Sequence, residues 1–475
     1  MSAETLWTAR EAAAATGGRL NGNADWQATG ASIDSRTLQK GDLFIALHGA
    51  NDGHDYVAGA LDKGAVAALV DRVPQGVGAD KPLLGVDDTQ AALEALGRAG
   101  RQRSQARYVA ITGSVGKTST KEALRHVLSA QAPTSASAAS YNNHIGVPLT
   151  LARVPRSARY AVIEIGTNHP GEIEKLSRQA QPHVCVITTI GAVHLENFGS
   201  VDDIAREKAA IMAGMQGGIA IFSRDNGYFA RLVELAGKYG VTNVVGFGRH
   251  ADADMRLIEA KTGPEGSDVR ARYRGRDLVY RVGAAGEHWV VNSLAVLAAT
   301  DALGADIDRA AASLATVTSV AGRGAQHKVA LSGGTLHLID ESYNASPISM
   351  RAAFAVLAGI KPAAGGRRIA ILGDMLELGP DAASLHAGLA SPLERAGIDL
   401  LLSCGPLMKN LHDAVPARLR GVHEENSAKL IPHLAALLRA GDAVTVKGSL
   451  GSKMKPIVEA IISLGVGPGV AGGKH

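Results

Sequence analysis

The sequence predicts an α/β fold of three domains: a small α/β domain over 1–105, a central domain with a mostly parallel sheet over 106–322, and a C-terminal α/β domain over 323–475. Three observations predict it. Short apolar runs alternate with helix-like stretches along most of the chain, the pattern of a sheet covered by helices. One run, Tyr108 to Thr112, leads straight into a glycine–lysine–threonine loop and then a helical pattern. The rhythm breaks twice, at the basic polar stretch Arg101–Arg107 and at Ala321-Gly322-Arg323-Gly324.

The elements follow in order. In the first domain, strands are expected at 43–47, 65–70 and 82–86, with helices at 55–63 and 89–102. Asp88-Thr89 supplies N-cap chemistry for the second helix. In the central domain, Tyr108–Thr112 reads as a buried strand, with Leu124, Val127 and Leu128 on one face of the following helix. Further strands are expected at 161–165, 184–188, 219–222 and 243–247. Between 250 and 282 the periodicity weakens into a polar, antiparallel addition, followed by a helix carrying Val290, Leu294, Val296 and Leu297. The last domain resumes the rhythm with strands at 336–340, 368–373, 399–404 and 442–447, which makes it Rossmann-like by pattern. The glycine-rich tail, 465–475, is expected to fray.

Composition narrows the function. The 475 residues fit about two to four domains at ~100–200 residues each. Hydrophobic residues at 46% and charged residues at 20% can build real cores. A net charge of +4 is too small for a nucleic-acid-coating surface, and 4% aromatic content leaves few platforms for stacking bases. Cys185 and Cys404 lie far apart and outside any CxxC pair, so neither disulfides nor structural zinc organise the chain. A reducing compartment follows. The N-terminus lacks a signal pattern, and no apolar run reaches the ~18 residues that span a bilayer. A cytoplasmic location without membrane insertion is expected.

Gly113-Ser114-Val115-Gly116-Lys117-Thr118-Ser119 carries the strongest chemistry. Its glycines let backbone N–H groups curl around a polyphosphate, and the following helix points its positive end at the anion. Lys117 can reach the β- and γ-phosphates, and Thr118 can bind Mg²⁺. The loop is short, because Ile111 stands where the longer GxxxxGK[ST] pattern has glycine. No GxGxxG follows a strand, which disfavours a dinucleotide site. Glu164 places a carboxylate inside the apolar run Ala161–Ile165, which is costly unless paired or metal-bound. Oxygen ligands suit Mg²⁺. His194 follows the strand at 184–188, where ligands gather in such sheets, although a lone histidine among 16 is most simply a polar surface residue. Lys208 reads locally as a solvated helix lysine, and Glu207 as a surface charge.

Together the short loop, Tyr141-Asn142-Asn143-His144-Ile145-Gly146-Val147-Pro148, Glu164-Ile165-Gly166 and His194-Leu195-Glu196-Asn197-Phe198-Gly199-Ser200 resemble the Mur ligases, ATP-dependent amide ligases of peptidoglycan synthesis. The resemblance covers essentially the whole chain, with motifs in order in all three domains. It implies that Asp34-Ser35-Arg36 and the segments at 41–47 and 52–56 bind a uridine nucleotide, with Ser35 and Arg36 touching the UDP-sugar. It implies ATP contacts from the 113–119 loop, Asn292, Arg323 and Asp340. It places Lys117 on the β/γ-phosphates, Thr118 and Glu164 on one Mg²⁺, and His194 on a second. Lys208 lies ten residues after Phe198, the family spacing for a carbamylated lysine that also binds metal. Ala210 stands where the family often has Glu. Asn142, Asn143, Tyr343 and Asn344 are implied on the substrate side.

The runs Ile339–Met350 and Leu372–Gly379 resemble the family branch that joins D-alanyl-D-alanine to UDP-MurNAc-tripeptide through an acyl-phosphate. The Asp-Asn-Pro-Arg motif of the sister branch that adds the third amino acid is absent. Leu450 stands where relatives often carry Arg, and Lys455 where they often carry Glu. A monomer is expected, with Gly322 and Gly324 as hinges beside Arg323. The competing readings are a sister ligase, a folylpolyglutamate synthetase-like ligase, a P-loop NTPase switch and an inactive scaffold. The first of these keeps the uridine segment, which the second would lack.

Overall fold

The computed structural model describes residues 4–78, 80–138 and 140–465. The tail expected to fray lies, beyond Gly465, outside the described residues.

The N-terminal sheet runs, in spatial order, through Arg19–Asn21, Leu83–Gly85, Ala67–Val70, Asp42–Ile45 and Gly30–Ser32, with its last four strands parallel. The helix Thr89–Arg103 follows, and Asp88 accepts from the Ala91 N–H at 2.9 Å as its cap. This helix docks on the central helix Gly146–Ala152. Two glycines make that approach possible: a Cβ at Gly97 would stand 2.8 Å from Pro148 Cα, and one at Gly100 would stand 2.5 Å from the Leu151 carbonyl oxygen. The Trp7 indole N–H donates to the Ala152 carbonyl at 3.0 Å, and the Arg153 Nε–H donates to Ala31 at 2.6 Å. The chain crosses to the central domain in the link between Arg103 and Arg107.

Among the described residues the central sheet has nine strands. Seven are parallel, in the order Met255–Gly263, Asn243–Gly248, Ile219–Ser223, Val184–Ile187, Arg107–Thr112, Tyr160–Glu164, Thr134–Ala136. Along Arg107–Thr112, Tyr108 and Ala110 enter one apolar cluster while Val109 and Ile111 enter the other. That two-residue alternation with both faces dry is why the strand reads as an unbroken apolar run. The helices Lys117–Ser129 and Glu287–Ala302 cover one face, and Glu172–Ala180 with Phe229–Lys238 the other. The weakly periodic stretch is an antiparallel meander of Met255–Gly263, Gly266–Tyr273 and Arg276–Val282.

The C-terminal sheet runs Ala325–Leu331, Gly334–Glu341, Ala443–Lys447, Arg368–Gly373, Leu400–Cys404, Arg420–Glu424, antiparallel only at its first pair. The chain enters it through Gly322 and Gly324, whose φ values of 74° and 95° require glycine. The short strands Thr134–Ala136 and Arg420–Glu424 correct the sequence reading, which had no strand there. Both are sheet-edge strands of partly exposed residues, so neither shows a continuous apolar run. The helix expected at 55–63 is a 3₁₀ turn, Gly53–Tyr56, continued by Val57–Asp62. No helix among the described residues is long and apolar enough to cross a membrane.

Candidate active site

The site lies at the carboxyl ends of the three central strands Arg107–Thr112, Tyr160–Glu164 and Val184–Ile187. The chain leaves the first strand between neighbours that come later in sequence, which is where doubly wound sheets form their crevice. Gly113 (φ 147°) and Gly116 (φ 88°) make the turn that the loop needs. A Cβ on Gly113 would sit 1.9 Å from the Thr188 hydroxyl, so that strand end holds the loop tightly. The Thr188 hydroxyl donates to the Val115 carbonyl at 2.5 Å, and Ser114 exchanges hydrogen bonds with Gly191 at 3.0 Å. The helix Lys117–Ser129 then opens with no side-chain cap, so its first N–H groups are left to an anion.

Lys117 is half-buried, and its ammonium donates to the Gly113 carbonyl at 2.7 Å. Burial pulls its pKa down to about 8, aided by Arg323 and opposed by Glu164. Glu164 is fully buried. Its Oε1 accepts from the Thr118 hydroxyl at 3.1 Å and from the Asn142 amide at 2.8 Å. Its Oε2 is buried with no hydrogen-bond partner among the described residues. An unpartnered oxygen on a buried carboxylate asks for a cation. Glu164 and Thr118 supply the oxygen donors that Mg²⁺ prefers, so these residues fit that ion.

Lys208 and Glu207 correct the local sequence reading. Lys208 is 2% exposed, not solvated, and its ammonium has no hydrogen-bond or ion-pair partner among the described residues. Burial first, then the Lys117 charge, pulls it down to about 7. Glu207 is no surface charge. It accepts from the Gly171 and Ile173 N–H groups at 2.7 and 2.9 Å and so caps the helix Glu172–Ala180. His194 has a left-handed backbone (φ 53°), a cost of order 1–3 kcal/mol. It lines the cleft and pairs across to Glu377 of the C-terminal domain. Burial lowers its pKa, Glu377 opposes that shift, and Lys117 and Lys208 reinforce it.

Lys117, Glu164 and His194 open on a cavity of about 830 Å³ between the central and C-terminal domains. Ser114, Val115, Gly116, Lys117, Ser119, Asn142, Asn143, Glu164, His194, Asn292, Arg323, Tyr343 and Asn344 all line it. Arg323 lies 4.2 Å over the Tyr343 ring, and its guanidinium donates to Ser140 at 3.3 Å. Gly113, Thr118, Lys208 and Asp340 are not among the lining residues. Asp340 instead accepts from Gly322 N–H at 2.8 Å and from Ser342 N–H at 3.0 Å, pinning the hinge. Ser35 and Arg36 are elsewhere, on the N-terminal domain. There Arg36 pairs with Asp34 at 2.7 Å, and Lys63 donates to the Ser35 carbonyl at 2.8 Å.

Sequence reasoning missed Glu377, Glu341 and Lys447 as lining residues. Lys447 is buried, donating to Glu341 at 3.0 Å and to the Asn344 carbonyl at 2.9 Å. A lysine closing the apolar run Ala443–Lys447 carried the same signal that singled out Glu164. Glu377 carried no signal of its own beyond lying in the family-like run Leu372–Gly379, because an acid in a loop looks solvated until its partner domain is known. Leu450 also lines the cavity, and Lys455 is not among its lining residues.

Fold and site together define a three-domain enzyme that uses a nucleoside triphosphate in a cleft closed by its last domain. Family models match in chain order: the Mur ligase family, catalytic domain at 27–101, the Mur ligase middle domain at 111–300, and the Mur ligase, glutamate ligase domain at 322–450. A UDP-N-acetylmuramoyl-tripeptide–D-alanyl-D-alanine ligase of Rickettsia prowazekii (strain Madrid E) is 33% identical over 96% of this chain and 99% of its own. The protein of the same name from Escherichia coli (strain K12) is 35% identical over 94% and 96%. A crystal structure of MurF from Acinetobacter baumannii superposes with a TM-score of 0.81 at 30% identity, covering 96% of this chain and 99% of that one. The chain belongs to the Mur ligase family.

Proposed function

We propose that this chain is an ATP-dependent ligase joining D-alanyl-D-alanine to UDP-MurNAc-tripeptide in peptidoglycan precursor synthesis, working as a cytoplasmic monomer. The observation that carries the reading is Glu164, a buried carboxylate with an unpartnered oxygen beside a phosphate loop, in a chain whose relatives bear that ligase name over nearly full length.

A carboxylate is a poor acyl donor because oxide is a poor leaving group. ATP therefore passes its γ-phosphoryl group to the tripeptide's terminal carboxylate, giving an acyl phosphate and ADP. The amine of D-alanyl-D-alanine attacks the acyl carbon, and the tetrahedral intermediate expels phosphate to leave the amide. Catalysis of this kind is mostly positioning and charge neutralisation. The 113–119 loop and the open helix end cradle the phosphates, and Lys117 neutralises charge on the transferring group. Asn292, beside Gly116 of the loop, and Arg323 hold the nucleotide, and Asp340 fixes the hinge behind Arg323. Ser35 and Arg36 hold the UDP end of one substrate, while Asn142, Asn143, Tyr343 and Asn344 orient the reacting ends.

Thr118 and Glu164 would hold one Mg²⁺, and His194 with a carbamylated Lys208 a second; the ions supply charge neutralisation at the phosphoryl oxygens. Lys208 suits carbamylation because a pKa of about 7 leaves much of the amine neutral, the form that adds to CO₂ with loss of one proton. The carbamate would put an anion where the chain otherwise buries an unpaired amine beside Lys117.

The test is phosphate release from Mg-ATP with bicarbonate, in the presence of either substrate or both, with mass spectrometry of the UDP-linked product. Release that requires both substrates, with a product heavier by the dipeptide minus water, supports the proposal. Release without acceptor points to an NTPase switch, and release with a single amino acid in place of the dipeptide points to a sister ligase.

A further inference from the structure

We propose that His48, His54 and Asp71 form a binding site for a divalent transition metal of the zinc class, in the N-terminal domain and apart from the cleft. The strands Asp42–Ile45 and Ala67–Val70 are parallel neighbours, so the loops leaving their carboxyl ends meet. One loop carries His48 and, in the turn Gly53–Tyr56, His54; the other carries Asp71. One ligand atom from each of the three residues lies within 4.8 Å of the others. His48 Nε2 is 2.5 Å from Asp71 Oδ2, and His54 Nε2 is 3.2 Å from Asp71 Oδ1. A tetrahedral ion with bonds near 2 Å needs its ligand atoms about 3.3 Å apart, so modest side-chain shifts admit it.

The tautomer of His54 is already set for a ligand. The ring is 3% exposed. Its Nδ1 lies 2.7 Å from Asp52 Oδ1, a contact that needs a ring proton there. Its Nε2 accepts from the Asp71 backbone N–H at 3.2 Å, so that nitrogen carries a lone pair, which an ion would take over from that N–H. A carboxylate behind the distal nitrogen is the arrangement that orients and strengthens metal-binding imidazoles. His48 stacks on His54 with ring centroids 5.0 Å apart. Arg72 pairs with Asp52 and, at 3.3 Å, with Asp71, and so occupies the carboxylates when no ion is bound.

Two imidazoles and one carboxylate with open positions select Zn²⁺, Co²⁺ or Ni²⁺ over Mg²⁺, which prefers oxygen alone. An ion bound at His48 Nε2 takes the place of that ring's contact with Asp71 Oδ2. The ion would tie together two loops on the sheet edge from which the Ser35–Arg36 segment also leaves, since Gly30–Ser32 pairs parallel with Asp42–Ile45.

The experiment is Co²⁺ titration of the metal-free full-length protein, read by visible d–d absorption, with Zn²⁺ competition. It is run on the wild type, His48→Ala, Asp71→Asn, and the double variant Glu164→Gln/His194→Ala. The wild type should take one Co²⁺ that Zn²⁺ displaces. His48→Ala should weaken Zn²⁺ binding at least about tenfold, and Asp71→Asn likewise, while the double cleft variant keeps the signal. His48 is half exposed, so its alanine variant should unfold at the wild-type temperature without metal, and it alone can decide the case. Wild-type affinity in His48→Ala, no absorption band in the wild type, or loss of the band only in the cleft variant would each overturn the proposal. None of these readouts depends on ligase activity.

Discussion

At Lys208 the chain buries an amine that an ordinary helix would leave in water. Its pKa of about 7 lies below the 10.5 of an unburied lysine, so the unfolded state binds more protons between those values. The cost of burying the charge is therefore full below pH 7 and fades as pH rises toward 10.5. Lys208→Met should abolish ligation yet raise stability in CO₂-free buffer at neutral pH, with the gain shrinking above about pH 8; urea unfolding across pH checks the sign. Lys208→Ala should regain part of its activity with added formate or acetate if an anion is what the site needs. Glu164→Gln should lower kcat by at least about 10²-fold without unfolding the protein, by analogy with loss of one preorganised charge-stabilising group. Glu164 was legible in the sequence because a carboxylate in an apolar strand is conspicuous on its own. Lys208 and Glu207 were not, because burial on a helix depends on what packs across it. Only the family spacing from Phe198 pointed to Lys208.

Elements of the parallel sheets were legible where both faces are dry, as along Arg107–Thr112, since the apolar run is then continuous. Edge strands such as Thr134–Ala136 and Arg420–Glu424 were not, because their residues are partly exposed and the apolar run dissolves. Helix-to-helix docking was also hidden. Gly97 and Gly100 read as weak points of the helix Thr89–Arg103, yet they let it lie against the backbone of Gly146–Ala152. Gly97→Val should force the helices apart and cost about 1–3 kcal/mol or more. Chemical denaturation would show the N-terminal domain loosening first, and the KM for the UDP-linked substrate should rise more than that for ATP.

For the molecule as a whole, the site exists only where the domains meet. His194 reaches Glu377 across the cleft, and a Cβ on Gly191 would stand 2.3 Å from Ile348 of the last domain. The sequence announced both halves through separate motifs but carried no signal for the contacts between them. Gly322 sets how the last domain approaches: its φ is 74°, and a Cβ added there would stand 3.0 Å from the Tyr343 side chain. Gly322→Val should cut ligation by at least about tenfold while circular dichroism shows each domain intact, because a β-branched residue resists a positive φ. An active Gly322→Val variant would remove the hinge from the account.

The central claim is that phosphate leaves from an activated carboxylate. The direct measurement uses UDP-MurNAc-tripeptide carrying ¹⁸O in its terminal carboxylate, with ATP and D-alanyl-D-alanine, and follows the isotope in the released phosphate. The account predicts one ¹⁸O in each phosphate formed with amide product. Unlabelled phosphate would show that water, and not the carboxylate, takes the phosphoryl group, and would contradict the acyl-phosphate route.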